Sequence, residues 1–438
     1  MGYKKFSIAA LIAMGSSMVF AQNAEIATWS GFRKAAVSFT FDDGPQSDVD
    51  VALPMFEKYG YKATFNIVTN WANGGGNNGM LNWSGVQKLS DAGHEIASHS
   101  DSHPNGRPMP ANEISSSKGT ISQKIQQKYG CVTLAYPNCD TPGDAQVLQN
   151  YVVGRICNGS WKGGPDIMGK DGPSNWAAVS ALMTGNQGTS DFKGNMDKAV
   201  QQGGWVAFLT HGFQGKTNGF ADYSPTDANG MDGALQYAQQ KDKDIWVAPM
   251  GYVAMYIKER NASKIEPQDG GSANSMAFEL KHSIADNISK YDYPLSIKVK
   301  TDWSKVEVTQ DGAMLESKVD GGYVYFDAVP NAGKIVVSNA NAAPEPESSS
   351  SSEVVSSSSE NPWAIASEIH DNFQFSVYRS SDNYIVVGGA QGKEITVFNS
   401  LGRKLRTTRG LGAVQKVYTG AKGVYIVKVG NKTRKVRL

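Results

Sequence analysis

The stretch SFTFDDGP, residues 38 to 45, runs an apolar, β-prone segment directly into two adjacent carboxylates, Asp42 and Asp43, and then turns at Gly44-Pro45. Two neighbouring acids at the end of a buried strand repel each other and favour water, so a positive group must stand close by. The segment HSDSH places His99 and His103 four residues apart, so that one helical turn could aim both imidazoles at a single ion. A carboxylate and two histidines make a three-ligand set that leaves open positions for water and substrate. One aspartate can then bind the ion and be neutralised by it, while the other stays free as a base beside the water that the ion acidifies. A third histidine, His211, closes the stretch AFLTH; on its own it would read as a loop histidine after a buried strand.

These residues need a scaffold that brings distant segments to one face. From Ala35 to Met250 short β-prone stretches alternate with longer helix-like ones, the pattern of β/α units around a parallel sheet. The strand candidates are AAVSFTF, KATFNIV, HEIASH, VTLAYP, YVVGRIC, WVAFLTH and DIWVAP, which predict an α/β fold, a distorted (β/α) barrel of about seven strands ending near Arg260. Asp42 and Asp43 follow the first candidate, His99 and His103 the third, Tyr136-Pro137-Asn138 the fourth and His211 the sixth. All lie at C-terminal strand ends, where α/β folds place their sites. Adjacent residues on a strand point to opposite sides, so Asp42 and Asp43 need not share a role.

The remainder of the 438 residues divides by composition. Residues 1–21 carry Lys4 and Lys5, an apolar run and small residues up to Ala21, the order of a secretory signal peptide, which predicts a secreted or cell-surface protein. No later stretch is apolar enough to span a bilayer. The catalytic domain is expected at 22–262, a small β-sandwich at 263–341 that braces it, a Ser/Pro/Glu-rich linker at 342–362 and a C-terminal β-module at 363–438. That last module holds 13 Lys+Arg against 4 Asp+Glu, whereas the whole chain is near neutral at +1, which gives no field for nucleic acid. Cys131, Cys139 and Cys157 allow one disulfide and leave one thiol. His94 reads as structural, and His282 and His370 fall outside the barrel. Trp71, Trp83, Trp161 and Trp176 are candidate sugar-stacking residues, with packing the commoner use of a tryptophan, and NGGGNNG at 73–79 reads as a rim loop.

TFDDGP, HSDSH and AFLTH, in that order, resemble the first, second and last motifs of the polysaccharide deacetylases of carbohydrate esterase family 4. The resemblance implies that Asp42 is the general base, that Asp43, His99 and His103 hold a divalent metal ion, usually zinc, and that His211 is the general acid. It gives the backbone N–H of Asn138 to the oxyanion and Tyr136 and Pro137 to the substrate side. The family's third motif begins with arginine, but here the stretch reads Ala135-Tyr136-Pro137-Asn138. That arginine orients the base in the family; Arg155, on the next candidate strand, is expected to supply its charge from another direction and is grouped with Tyr136 and Pro137 on the substrate side. The family's fourth motif has no clean match between Trp161 and Trp176. The C-terminal VFNSLGRKLR and GVYIVKVGNKTRKVRL resemble sorting domains of the type nine secretion system, which implies an export machinery as partner. The expected protein is an exported monomeric hydrolase that removes N-acetyl or O-acetyl groups from chitin-like polymers, peptidoglycan or acetylated xylan. The alternative is a glycan-binding protein on the same fold without turnover.

Overall fold

The computed structural model describes residues 23–342, apart from 76, 106–108, 140–143, 159–164, 188–189 and 287, together with strands between 376 and 437. The chain forms two compact units, Met1–Ala342 and Ala343–Leu438. The signal-peptide reading at 1–21 and almost all of the linker fall outside the described residues.

The first strand, β1 (Ala24–Ile26), precedes the barrel. The barrel sheet comprises β2 (Ala35–Phe41), β3 (Thr64–Ile67), β4 (Glu95–Ser98), β5 (Thr133–Ala135), β6 (Val153–Cys157), β7 (Ile167–Met168), β8 (Val179–Met183), β9 (Trp205–Thr210) and β10 (Ile245–Val247). Strands β2, β3, β4, β5, β6, β8 and β9 follow one another in parallel, and β9 pairs back onto β2, so seven strands close a ring. Every residue of β2 is buried, as expected of a parallel strand covered on both faces. Phe39 and Phe41 pack among Phe56, Phe65 and Phe208, with Phe41 stacked on Phe65 at 4.9 Å. Ser38 and Thr40 instead donate to the carbonyls of Ala248 and Phe208. This alternation points Asp42, the next even residue, away from the phenylalanine layer.

The seven-strand ring is as expected, but its membership differs. DIWVAP forms β10, which pairs only with Ala35–Val37, the N-terminal half of β2, while Thr40 and Phe41 pair with β3. The seventh place in the ring belongs to β8, Val179–Met183, which was not anticipated. Its sequence VSALM is short and mixes small with large residues, so period alone does not reveal it.

Two antiparallel sheets follow the barrel, one ordered β1-β13-β17-β16 and one β11-β12-β18-β14-β15. They are built from β11 (Ser263–Pro267), β12 (Ser275–His282), β13 (Leu295–Lys300), β14 (Val306–Gln310), β15 (Ala313–Met314), β16 (Ser317–Asp320), β17 (Tyr323–Ala328) and β18 (Lys334–Asn339). The N-terminal strand β1 thus belongs to this sandwich, paired with Ile297–Val299 of β13. Helix Met250–Ala262 leads directly into β11, and its Val253, Met255 and Ile257 share one core with Phe278, Ile297, Val324 and Val337. The sandwich is therefore packed against the barrel as a brace. Among the described residues, the C-terminal unit contains a three-stranded and a four-stranded antiparallel sheet around Ile385, Val387, Ile395, Val397, Val427 and Val429. No helix among the described residues is long and apolar enough to cross a membrane.

Candidate metal and acid–base site

The end of β2 shows how two adjacent aspartates are used differently. Asp42 stays in the strand register: its N–H donates to Thr210 O at 2.8 Å, and its carboxylate is 3% exposed. Asn66 Nδ2 on β3 donates to Oδ1 at 2.8 Å, and Arg155 Nη2 on β6 reaches both oxygens at 2.5 Å. Burial alone would push the Asp42 carboxyl up, but the Arg155 guanidinium, with His99 and His211 behind it, outweighs that and holds it at about 2. Asp43 takes a left-handed backbone, φ 76°, and Gly44 follows at φ 73°, so the strand ends and the second carboxylate turns onto the rim.

Asp43 Oδ1 lies 3.4 Å from His99 Nε2 and 3.6 Å from His103 Nε2, and it is buried without a hydrogen-bond partner among the described residues. One ligand atom from each of Asp43, His99 and His103 lies within 4.8 Å of the others. A buried, unpartnered carboxylate oxygen facing two imidazole nitrogens fits a divalent cation better than it fits a closed hydrogen-bond network. The outer nitrogen of His99 supports this: Nδ1 lies 2.9 Å from Ala135 O, so donation to that carbonyl leaves the Nε2 lone pair facing Asp43. Burial, then the neighbouring His99, holds His103 below its ordinary pKa and favours the neutral ring.

The two histidines are not brought together by a helical turn. His99 follows directly on strand β4, and Ser100 and His103 both adopt left-handed backbones, φ 64° and 55°. The loop between them is held from below by Glu113, whose carboxylate accepts from the N–H groups of Asp101 and Ser102 at 2.9 and 2.8 Å and from Ser102 Oγ at 2.7 Å. Trp71 stacks on the His103 ring at 5.3 Å and 24°.

The other expected residues fall into two groups. His211 follows β9 directly, and the Asp42 N–H to Thr210 O bond sets it beside Asp42; its ring meets Tyr223 edge-on at 5.6 Å, and its Nδ1 has no hydrogen-bond partner among the described residues. Asn138 sits exposed in a turn at φ 54°, with its side chain donating to Pro104 O at 3.2 Å, next to His103. The adjacent Cys139 is disulfide-bonded to Cys157 at the end of β6, and Cys131 is the buried free thiol.

Tyr136, Pro137 and Arg155 are buried and do not form an open substrate surface. The Tyr136 hydroxyl donates to Ala177 O at 2.5 Å, passing where a Cβ on Gly154 would lie, and Arg155 is fully buried against Asp42. Arg155 thus supplies the charge missing from the third motif from another direction, as expected, and places it on Asp42; its full burial takes it off the substrate surface with which it was grouped. His94 is structural as expected, accepting from Ala63 N at 3.0 Å, with burial holding its pKa at about 3. Among the described candidate tryptophans, Trp71 stands at the site. Trp83 donates to Asn73, Trp176 packs at the edge of the core shared with the sandwich, and Trp161 lies outside the described residues.

Residues not anticipated complete the rim. Asn66 is the lone amide in the strand stretch TFNI, a signal that was available. Phe220 and Tyr223, 55% and 60% exposed, lie on the loop after His211, and Phe220 touches Trp71 at 4.9 Å. The loop is internally fixed, because Asn218 exchanges two hydrogen bonds with the Phe213 backbone. Exposed aromatics on a fixed loop beside a polar centre form a rim that suits ring stacking. Asp48 is fully buried with neither carboxylate oxygen hydrogen-bonded among the described residues.

Residues 30–151 match the family model described as polysaccharide deacetylase. The chain is 24% identical over 337 residues to a gellan lyase of a Bacillus species, covering 72% of this chain and 13% of that protein. It is 34% identical over 108 residues to a bifunctional xylanase/deacetylase of Pseudobutyrivibrio xylanivorans, covering 25% of this chain and 16% of that protein. The chain therefore spans less than a fifth of the length of these two curated relatives. Among solved structures it is similar to the Xyl-CE4 domain of a multidomain xylanase from the hindgut metagenome of Trinervitermes trinervoides, at 17% identity and a TM-score of 0.31, covering 50% of this chain and 89% of that one.

Proposed function

We propose that this protein is a metal-dependent polysaccharide deacetylase, hydrolysing N-acetyl amides or O-acetyl esters on a glycan chain. The observation that carries the reading is the placement, on one barrel rim, of the Asp43–His99–His103 set beside an aspartate that Arg155 and Asn66 hold in a fixed orientation. Asp43, His99 and His103 would hold a divalent cation, with zinc fitting two nitrogens and one oxygen. Such a cation, when bound, polarises the acyl oxygen and makes nearby water more acidic.

Within the chain, Asp42 accepts a proton from the attacking water. With its pKa at about 2 it is a weak base, ionised at every working pH, so fixed orientation counts for more than basicity. The Asn138 N–H offers a donor to the tetrahedral oxyanion, and His211 protonates the departing nitrogen or oxygen. Glycan binding without turnover, the alternative reading, is motivated by the missing motif arginine and by the accessory β-domain; Arg155 at Asp42 counters the first of these.

The Cys139–Cys157 disulfide and the signal-like N-terminus support export to an oxidising compartment, and the basic C-terminal β-module supports a sorting role. The test is acetate release by the full chain on acetylated xylan and on chitin oligomers, after chelation and after zinc is restored, with Asp42→Asn as control. Zinc-dependent release on one polymer, lost in the variant, supports the reading and selects the bond; no release on either overturns it.

A further inference from the structure

The outer face of the sheet β1-β13-β17-β16 has features that bracing does not explain. Tyr323 and Tyr325 project from β17 on the side opposite the buried Val324 and Phe326. Cross-strand partners place Lys298 and Lys318 beside Tyr325, and Lys300 and Asp320 beside Tyr323. Such pairs commonly do no more than stabilise a sheet.

Three further observations separate this face from an ordinary one. A cavity of about 490 Å³ opens over it, within the size range of small-molecule sites. Its far wall is supplied from outside the sheet by Phe32, held against the sheet by the Gly31 N–H donating to Ser296 Oγ at 2.8 Å. Phe32 has φ 59°, a left-handed conformation that is strained for a bulky residue, and its half-buried ring stands perpendicular to Tyr325 at 5.4 Å. The two rings make a corner. Around it stand three carboxylates, Glu316, Asp320 and Asp327, against two ammoniums: Lys318, paired with Asp320 at 3.0 Å, and Lys298, which lies 4.9 Å from the centre of the Phe32 ring and is paired with Glu25 at 2.7 Å. Asp327 receives the Ser296 hydroxyl and is fixed by it.

We infer that this trough is a second glycan-binding site, separate from the barrel rim, that takes a neutral or amino pyranose against the Phe32–Tyr325 corner. Aromatic rings suit the C–H faces of a pyranose, and carboxylates accept from its hydroxyls or from an ammonium. The same carboxylates repel uronates, phosphates and acidic peptides. The sandwich then holds the polymer while the barrel acts on it, which raises the local concentration of acetyl groups.

The test is binding by the full chain, chelated so that nothing turns over, to insoluble unacetylated xylan and chitosan, with polygalacturonate as the anionic probe. Binding to xylan or chitosan is expected, with Phe32→Ala and Tyr325→Ala each weakening it about fivefold to tenfold. Glu316→Lys, at an exposed position with no packing to lose, is expected to weaken chitosan binding and guards against a folding defect, as does an unchanged near-UV circular dichroism spectrum. Binding to neither polymer, wild-type binding by the two aromatic variants, or a preference for polygalacturonate would overturn the inference. Acetate release with zinc restored is read on the same preparations, so failure of the deacetylase reading shows there, independently of these isotherms.

Discussion

Arg155 on β6 reaches across the barrel to grip both carboxylate oxygens of Asp42 at 2.5 Å, and neither residue is more than 3% exposed. This pair determines how the site ionises. Because Asp42 sits at about 2 against 3.8 for a free aspartate, the pair stabilises the fold at every pH above about 4 and loses that contribution as pH falls through 2. Replacing Arg155 with alanine strands a buried carboxylate and should cost on the order of 3 to 5 kcal/mol. Urea unfolding at pH 7 would read the loss. In any folded Arg155→Ala fraction the Asp42 pKa rises, so the acid limb of the pH–rate profile should move up. An unmoved limb would show that Arg155 does not tune Asp42.

The loop joining His99 and His103 depends on Glu113, which holds two backbone N–H groups and one hydroxyl. Glu113→Ala should leave all three ligands in place but free the loop, lowering zinc affinity about 10- to 100-fold in competition with a chromophoric chelator. Affinity equal to wild type would mean that the left-handed residues Ser100 and His103 fix the loop unaided.

The legible and illegible parts of this chain differ in physical kind. The sheet, the sandwich and the clustering of Asp42, Asp43, His99, His103 and His211 follow from strand patterning and from where α/β strands end, which are local signals. Arg155 is legible as a charge on a strand that could replace the missing base-orienting arginine, whereas its two-oxygen grip on Asp42 depends on ring closure, which brings β6 opposite β2. Val179–Met183 escaped because five residues of mixed size carry no period, and Ile245–Val247 was placed in the ring because its period is good although its pairing stops halfway along β2. The four-residue spacing of His99 and His103 suits a helical turn and says nothing about the left-handed backbones that achieve the same juxtaposition.

Asp48 offers a test with the opposite sign to Asp42. Burial first, and then Asp43 and Asp42, push its carboxyl well above 3.8. A raised acid favours the fold while protonated, so as pH rises through 3.8 the unfolded chain ionises first and stability falls until the folded pKa is passed. Asp48→Asn removes that penalty. In the chelated protein it should raise the melting temperature by about 2–4 °C at pH 7 and by less at pH 4, as read by calorimetry. A lower melting temperature at both pH values would show that the carboxylate is held by a cation or ordered water.

His211 separates the two bonds the site could cleave. An alkoxide leaves a tetrahedral intermediate unaided far more readily than an amide anion does, so proton donation to the leaving group matters most for nitrogen. Since the Asp42 N–H to Thr210 O bond fixes the start of the His211 loop and Tyr223 covers one edge of the ring, His211→Ala should remove the proton donor and leave the neighbouring strands in place. The expected result is a loss in kcat/KM at least about tenfold greater on an N-acetyl oligomer than on an O-acetyl one, with general acid catalysis contributing roughly 100- to 10,000-fold to the amide. Steady-state acetate release on both oligomers by wild type and variant measures it. Equal losses on the two would show that His211 acts before the leaving group departs, by positioning water or the oxyanion, and would move the role of general acid to another residue.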